Sequence, residues 1–158
     1  SGVCFVKKGE HQILISKENH WPWSANTLIK SKNTTIINPF FTKQTPDIEL
    51  ITNLNPEYTK ISSLFVKDLI SQKAQEKVAE HYITFESEVK ALDFYKDRDD
   101  VVVIALENGI YALELTVSEN PNFQPIYLGQ NPVFVKKDSK SLYIKDSETI
   151  SLYFYENS

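Results

Sequence analysis

Residues 100–117 read Asp-Val-Val-Val-Ile-Ala-Leu-Glu-Asn-Gly-Ile-Tyr-Ala-Leu-Glu-Leu-Thr-Val, and this stretch decides the fold class. Two β-rich runs flank Asn108-Gly109, a dipeptide that readily takes positive φ and predicts a type I′ hairpin turn. Such a turn sets three cross-strand pairs on one face: Leu106 with Tyr111, Ile104 with Leu113, and Val102 with Leu115. The opposite face is apolar as well, so we expect both faces to be covered.

Further strand patterns surround this hairpin. A short strand is predicted at residues 48–52, and strands are predicted at 89–95, 124–128, 133–136, 142–145 and 149–155, with turn residues between them. No crossover helix lies between the later strands, which argues against a parallel sheet. The sequence therefore predicts a mainly β protein with antiparallel sheets.

Residues 64–82 break the β pattern. Apolar side chains recur at every fourth position, at Val66, Ile70, Ala74, Val78 and Tyr82, with charged residues between them. This spacing predicts one amphipathic helix near residues 66–82. We expect this helix, or the segment from Trp21 to Trp23, to cover one face of the central hairpin, and the other face to need a partner.

The first forty residues carry a second β pattern. Strand pairs are predicted for residues 3–6 with 12–16 and for 27–30 with 34–37. This segment, about residues 3–41, resembles the later part of a PEGA domain, a small β-sandwich module of bacterial envelope and surface proteins. The matching residues are Gly9, His11, Ile13, Ile15, Ser16-Lys17, Trp21-Pro22-Trp23 and Pro39-Phe40.

Residues 85–158 resemble blades of a β-propeller. Residues 89–95 match an inner strand, the hairpin through Asn108-Gly109 the middle strands, and residues 124–127 the outer strand, while a second blade begins at 131–135. Closed propellers have about four to eight blades, and this stretch makes fewer than two. The resemblances divide the chain into a PEGA-like β-module at 1–45 that lacks its first strands, a connector with a short strand and helix at 46–84, and a blade-like sheet at 85–158.

Composition narrows the function. The net charge is −4 and Arg98 is the sole arginine, so we do not expect nucleic-acid binding. Cys4 stands alone, and the three histidines lack metal-ligand spacing. We therefore predict no catalytic residues, no metal and no cofactor, and hence a protein that is not an enzyme. No apolar run approaches eighteen residues, so any membrane attachment would use a segment absent from this chain.

The binding candidates are His20, Trp21 and Trp23, because exposed tryptophans can anchor a protein partner or stack on sugar rings. The alternative is that these tryptophans close the core of the small β-module. The resemblances imply a non-enzymatic interaction or scaffold segment of an exported, extracytoplasmic bacterial cell-envelope protein. Two alternatives stay open: a carbohydrate-binding module that uses the tryptophans, and an intracellular assembly subunit that self-associates through open sheet edges.

Overall fold

The computed structural model describes residues 6–116 and 120–156. Its described part holds ten strands and two short α-helices. The strands are β1 (Gly9–Ile15), β2 (Trp23–Ile29), β3 (Ile48–Ile51), β4 (Ala91–Phe94), β5 (Val101–Leu106), β6 (Gly109–Glu114), β7 (Phe123–Leu128), β8 (Val133–Asp138), β9 (Ser141–Asp146) and β10 (Thr149–Phe154). The helices are α1 (Tyr58–Ser63) and α2 (Gln72–Glu80). The fold is mainly β, as the sequence predicts.

All strand pairing within the sheets is antiparallel. β1 and β2 form a two-stranded sheet, one four-stranded sheet has the order β4-β5-β6-β7, and the other has the order β3-β10-β9-β8. The strands predicted between residues 89 and 155 all form, and so does the short strand at 48. β3 leaves its sequence neighbours and completes the sheet formed by the last three strands.

The central hairpin is β5 and β6, and its two faces are both buried. Val101, Val103 and Ala105 face the other four-stranded sheet, while Val102 and Ile104 face α2. The prediction of two covered faces is therefore confirmed. The expectation that one face needs a partner is wrong, because the second sheet of the same chain covers it.

The turn of this hairpin lies one residue earlier than predicted. Leu106 pairs with Gly109, so Glu107 and Asn108 form the loop, and neither Asn108 nor Gly109 has positive φ. The predicted type I′ turn is therefore wrong, and every cross-strand partner moves by two residues, which preserves the face of each side chain. Gly109 has a different role: a Cβ there would lie 2.8 Å from the carbonyl oxygen of Tyr127 on β7.

The predicted long helix is shorter in the structure. α2 begins after Ser71, whose hydroxyl accepts a hydrogen bond from the Ala74 N–H at 3.3 Å. Residues 69–71 do not continue this helix, because Leu92 of β4 donates to the Leu69 carbonyl and accepts from the Ser71 N–H, and Leu64–Val66 form a separate 3-10 turn. Ala74 and Val78 are buried as predicted, whereas Val66 and Tyr82 are exposed.

The N-terminal strand pairs also differ from the prediction. β1 pairs with β2 across the segment that holds Trp21 and Pro22, and residues 33–40 form no strand. Residues 3–5 of the first predicted strand lie outside the described residues. Two amphipathic strands of seven residues pair over their full length here, which satisfies more backbone groups than the shorter predicted pairs would.

Four layers result from this packing. α2 covers one face of the β4–β7 sheet, the two four-stranded sheets share the main core, and α1 covers the far face of the second sheet. The β1–β2 ribbon and the loop after it close one side of that core with Trp23 and Phe40. The core thus joins residues from both the first and the last of the three predicted segments.

Candidate functional site

The three predicted binding residues lie close in sequence but in different environments. Trp23 is only 3% exposed, and its indole N–H donates to Glu114 Oε2 at 3.2 Å. Trp21 is half-buried at the surface, and the His20 side chain is 7% exposed. A platform made of both tryptophan rings is therefore not formed, and Trp21 is the ring that faces a groove.

His20 takes part in an ionic cluster that ties the N-terminal segment to the end of the chain. Its Nε2 lies 2.7 Å from Glu156 Oε2, and its Nδ1 lies 2.6 Å from the Glu18 carbonyl oxygen. The Lys17 ammonium donates to the same Glu156 oxygen at 2.8 Å. This Lys17 contact, with a smaller contribution from His20, lowers the pKa of the Glu156 carboxyl. The geometry assigns His20 a structural role.

Two side-chain amides hold the Trp21 segment against β7. The first amide is that of Gln124, which is 3% exposed. Its Oε1 accepts a hydrogen bond from the Thr42 N–H at 2.8 Å. Its Nε2 donates to the Pro22 carbonyl at 3.1 Å and to the Phe40 carbonyl at 3.0 Å. The Trp21 N–H in turn donates to the Thr42 carbonyl at 2.9 Å. These bonds fix the backbone on both sides of Trp21.

The second side-chain amide is that of Asn122, which bonds to the backbone of Ser24 on β2. It accepts from the Ser24 N–H at 2.8 Å and donates to the Ser24 carbonyl at 2.6 Å, as a neighbouring strand would. The same amide donates to Glu114 Oε1 at 2.9 Å, while the other oxygen of Glu114 accepts from Trp23. The edge of β2 is thereby bonded to the main sheet through side chains.

The fixed Trp21 lines a groove of about 250 Å³ between the outer strands β3 and β7. The groove is lined by Trp21, Lys43, Gln44, Pro46, Ile48, Pro125, Ile126, Tyr127 and Leu128. Its volume is below the roughly 300–1,000 Å³ usual for small-molecule sites. Tyr127 adds no charge, because a tyrosine is already protonated at neutral pH, and burial and a hydrogen bond to Asp146 raise its pKa further, to about 12. The groove is therefore largely apolar and suits one or two side chains.

β3 forms one wall of the groove, and no strand among residues 6–116 and 120–156 pairs with its outer edge. The side chains of Ile48 and Leu50 are 45% and 62% exposed. Phe154 donates to the Asp47 carbonyl, and hydrogen-bonded pairs alternate along an antiparallel ladder. Glu49 and Ile51 therefore bond to β10, while the N–H and C=O groups of Ile48 and Leu50 point to the free edge.

The other sheet edges are covered or differ in character. The edge of β4 is bonded by residues 69–71, and that of β7 contains Pro125, whose carbonyl accepts from the Thr42 hydroxyl at 2.8 Å. β8 carries Lys136 and Lys137, a common protection of edge strands. β1 is also an edge, and its exposed residues are mostly polar. β3 carries two exposed apolar side chains, Ile48 and Leu50, beside its open backbone groups, whereas β1 carries one, Leu14.

A second, larger cavity of about 350 Å³ lies beside Arg98, whose charge is already paired with Asp100. Arg98 donates to both oxygens of Asp100 at 2.9 and 2.8 Å and to the carbonyls of Asn38 and Pro39. Burial raises the pKa of the adjacent Tyr95 to about 12. Within residues 6–116 and 120–156, no cluster of three metal-ligating side chains is present.

Sequence reasoning identified Trp21 but missed Ile48, Leu50 and Leu128 as neighbouring surface. A signal was present: Pro46 precedes a four-residue strand that contains a single charge, and proline near a short strand favours an edge position. What the sequence could not show is that β3 pairs with β10 and so comes to lie beside β7.

Comparison with known proteins finds no matching family model, no similar curated protein and no similar solved structure. No helix in the described part of the chain is long and apolar enough to span a membrane. The β3 edge and the groove beside it are the surface features that point to a function.

Proposed function

We propose that this protein is a non-enzymatic interaction or scaffold module that binds a partner at the edge of β3 and the groove beside it. The observation that carries this proposal is the coincidence of three features: unpaired backbone groups on Ile48 and Leu50, their exposed side chains, and the adjacent Trp21. Edge strands with these properties pair readily with another chain, and tryptophan is common among residues that dominate binding.

A random peptide library displayed on phage tests this function without assuming a sequence. The library is selected in parallel on wild-type protein, on Leu50→Lys and on Leu28→Lys. Leu28 on β2 is 58% exposed, close to the value for Leu50, and is therefore a matched control. We expect peptides to be enriched on the wild type and the Leu28→Lys variant and lost on the Leu50→Lys variant. Equal enrichment on all three proteins, or none, contradicts the proposal.

The cellular setting is a separate proposal, and it rests on resemblance. The PEGA-like residues at 3–41 and the blade-like pattern at 85–158 support a segment of an exported bacterial cell-envelope protein. Fractionation of the source cells, followed by immunoblotting for this chain, tests the location. Recovery of the chain with cytosolic proteins contradicts export.

Carbohydrate binding is a second candidate function, and the half-exposed ring of Trp21 beside the groove favours it. Stacking of a sugar on this ring would change its fluorescence, whereas the buried Trp23 would respond little. Titration with a panel of oligosaccharides, with Trp21→Phe as the control, tests this function. Absence of a Trp21-dependent signal contradicts it.

A further inference from the structure

The partner segment that fits the β3 edge can be described by its chemistry, and this inference rests on the proposed function. We propose that β3 binds one extended segment of a partner protein in which two apolar residues flank a lysine or arginine. Three features of the edge lead to this pattern: its hydrogen-bonding register, the groove on one face and the carboxylates on the other.

The register fixes which partner residues bind. Ile48 and Leu50 present their backbone groups outward, so a partner strand forms its hydrogen bonds with these two residues. Residues directly opposite each other in an antiparallel pair have Cβ atoms about 4.5–5.5 Å apart and share a face. Partner side chains opposite Ile48 and Leu50 therefore lie on the same side as the Ile48 side chain.

That side is the groove. Ile48, Trp21 and Leu128 line it together, and Leu128 is itself 60% exposed. Two apolar partner side chains would cover this surface and remove it from water, with a gain of about 25 cal/mol for each Å² of apolar area buried. The residue between them points to the opposite face.

The opposite face is acidic at this edge. The partner residue between the two apolar ones lies opposite Glu49, an exposed carboxylate in the middle of β3. Asp47 lies two residues before Glu49 and so on the same face, and its side chain remains 59% exposed although Lys43 approaches it at 3.6 Å. Charges of opposite sign are favourable at facing positions, so a lysine or arginine fits there.

The same register argues against a second copy of this chain as the occupant. An antiparallel pair of two β3 strands that bonds Ile48 to Leu50 of the other copy places Glu49 directly opposite Glu49. Like charges at facing positions destabilise a strand pair. A heterologous segment with a cation at this position avoids that repulsion.

Two labelled peptides test the charge pattern: one with Val-Lys-Val between threonines, and one with Val-Glu-Val in the same frame. Binding is measured by fluorescence anisotropy and by amide hydrogen exchange of Ile48 and Leu50, with up to about 1 mM peptide because weak binding is expected. The proteins are the wild type, Glu49→Lys, Leu50→Lys and the Leu28→Lys control.

We expect the wild type to prefer the lysine peptide by about 3- to 10-fold, from the energies of facing charge pairs. Glu49→Lys should reverse this preference, Leu50→Lys should bind neither peptide, and Leu28→Lys should behave as the wild type. Slower exchange at Ile48 and Leu50 with the lysine peptide supports the register.

Other outcomes overturn the inference, and they separate it from the proposed function. Equal binding of both peptides that is lost in Leu50→Lys removes the charge requirement and leaves docking at β3 intact. No binding of either peptide overturns the inference, while the phage selection still decides the function. A dimer found by light scattering in the wild type and absent in Leu50→Lys identifies a second copy as the occupant and overturns the heterologous partner.

Discussion

Removal of the Gln124 amide is the sharpest test of how the N-terminal segment is held on the sheets. Gln124→Leu keeps roughly the shape of the side chain but removes the partner of three backbone groups: the buried Thr42 N–H and Phe40 carbonyl, and the carbonyl of the exposed Pro22. A buried polar group without a partner costs ~1–3 kcal/mol, so the two buried groups predict a loss of ~2–6 kcal/mol in the free energy of unfolding. This is a large part of the ~5–15 kcal/mol that stabilises an ordinary domain.

Urea unfolding followed by tryptophan fluorescence measures this loss, because Trp23 is buried in the folded protein. Gln12→Leu on β1 is the matched control, since Gln12 is exposed, and a change within about 0.5 kcal/mol is expected there. Amide hydrogen exchange at residues 20–44 should also increase in the Gln124 variant. A loss below ~1 kcal/mol would refute the reasoning, because it would show that water replaces all three partners at little cost.

Three further changes test other contacts. Arg98→Lys should lower the free energy of unfolding by ~1–3 kcal/mol, because lysine cannot reproduce the bonds to Asp100, Asn38 and Pro39. A urea titration measures this loss. An unchanged free energy of unfolding would show that other contacts hold the loop after residue 37. Gly109→Ala should lower the free energy of unfolding by ~1–3 kcal/mol, and with it the melting temperature, because the new Cβ meets the backbone of β7. An unchanged melting temperature would show that β7 moves away freely. Glu156 has a lowered pKa in the folded protein, so its contribution to stability is present above its unfolded pKa and is lost as the pH falls through the folded value. Glu156→Gln should therefore flatten the decline of stability in that acidic range, measured by urea titrations from neutral pH downward, and an unchanged pH profile contradicts this role.

Much of the β architecture could be predicted because its signals are local. Residues 101–114 alternate between two apolar faces, and the structure assigns each side chain to the predicted face even though the turn moved. Each side chain keeps its predicted face because side chains alternate along a strand with a period of two residues, so a shift of the pairing by two residues leaves the faces unchanged. The turn was mispredicted because the glycine at position 109 was assigned to a positive φ. The structure shows that glycine is needed there for the close approach of β7, a contact that the local sequence does not reveal.

The helix and the N-terminal strands were mispredicted for a related reason. Residues 69–71 fit a helical period, but they bond to Leu92 of β4, and this pairing determines their conformation. Likewise, the edge of β2 is bonded by the side chain of Asn122, a residue about a hundred positions away. Neither contact leaves a pattern in the local sequence.

The candidate site was predictable only in part. Trp21 stands out by residue type, yet its environment depends on bonds from Gln124, and its neighbours Ile48 and Leu128 come from two different sheets. Trp23 has the same residue type and is buried instead. A single residue separates the two tryptophans, and strand alternation would place both on the same face, so their different burial comes from the packing around each ring.

The pairing of β3 with β10 has a consequence for how the chain is made. Ile51 pairs with Ile150, so β3 is synthesised about a hundred residues before its partner exists. At the usual rate of synthesis, about 5–20 residues per second, this interval is about 5–20 s. During that interval residues 48–51 lack β10, the strand with which they pair in the folded sheet. The second sheet is then completed last, by the C-terminal strand.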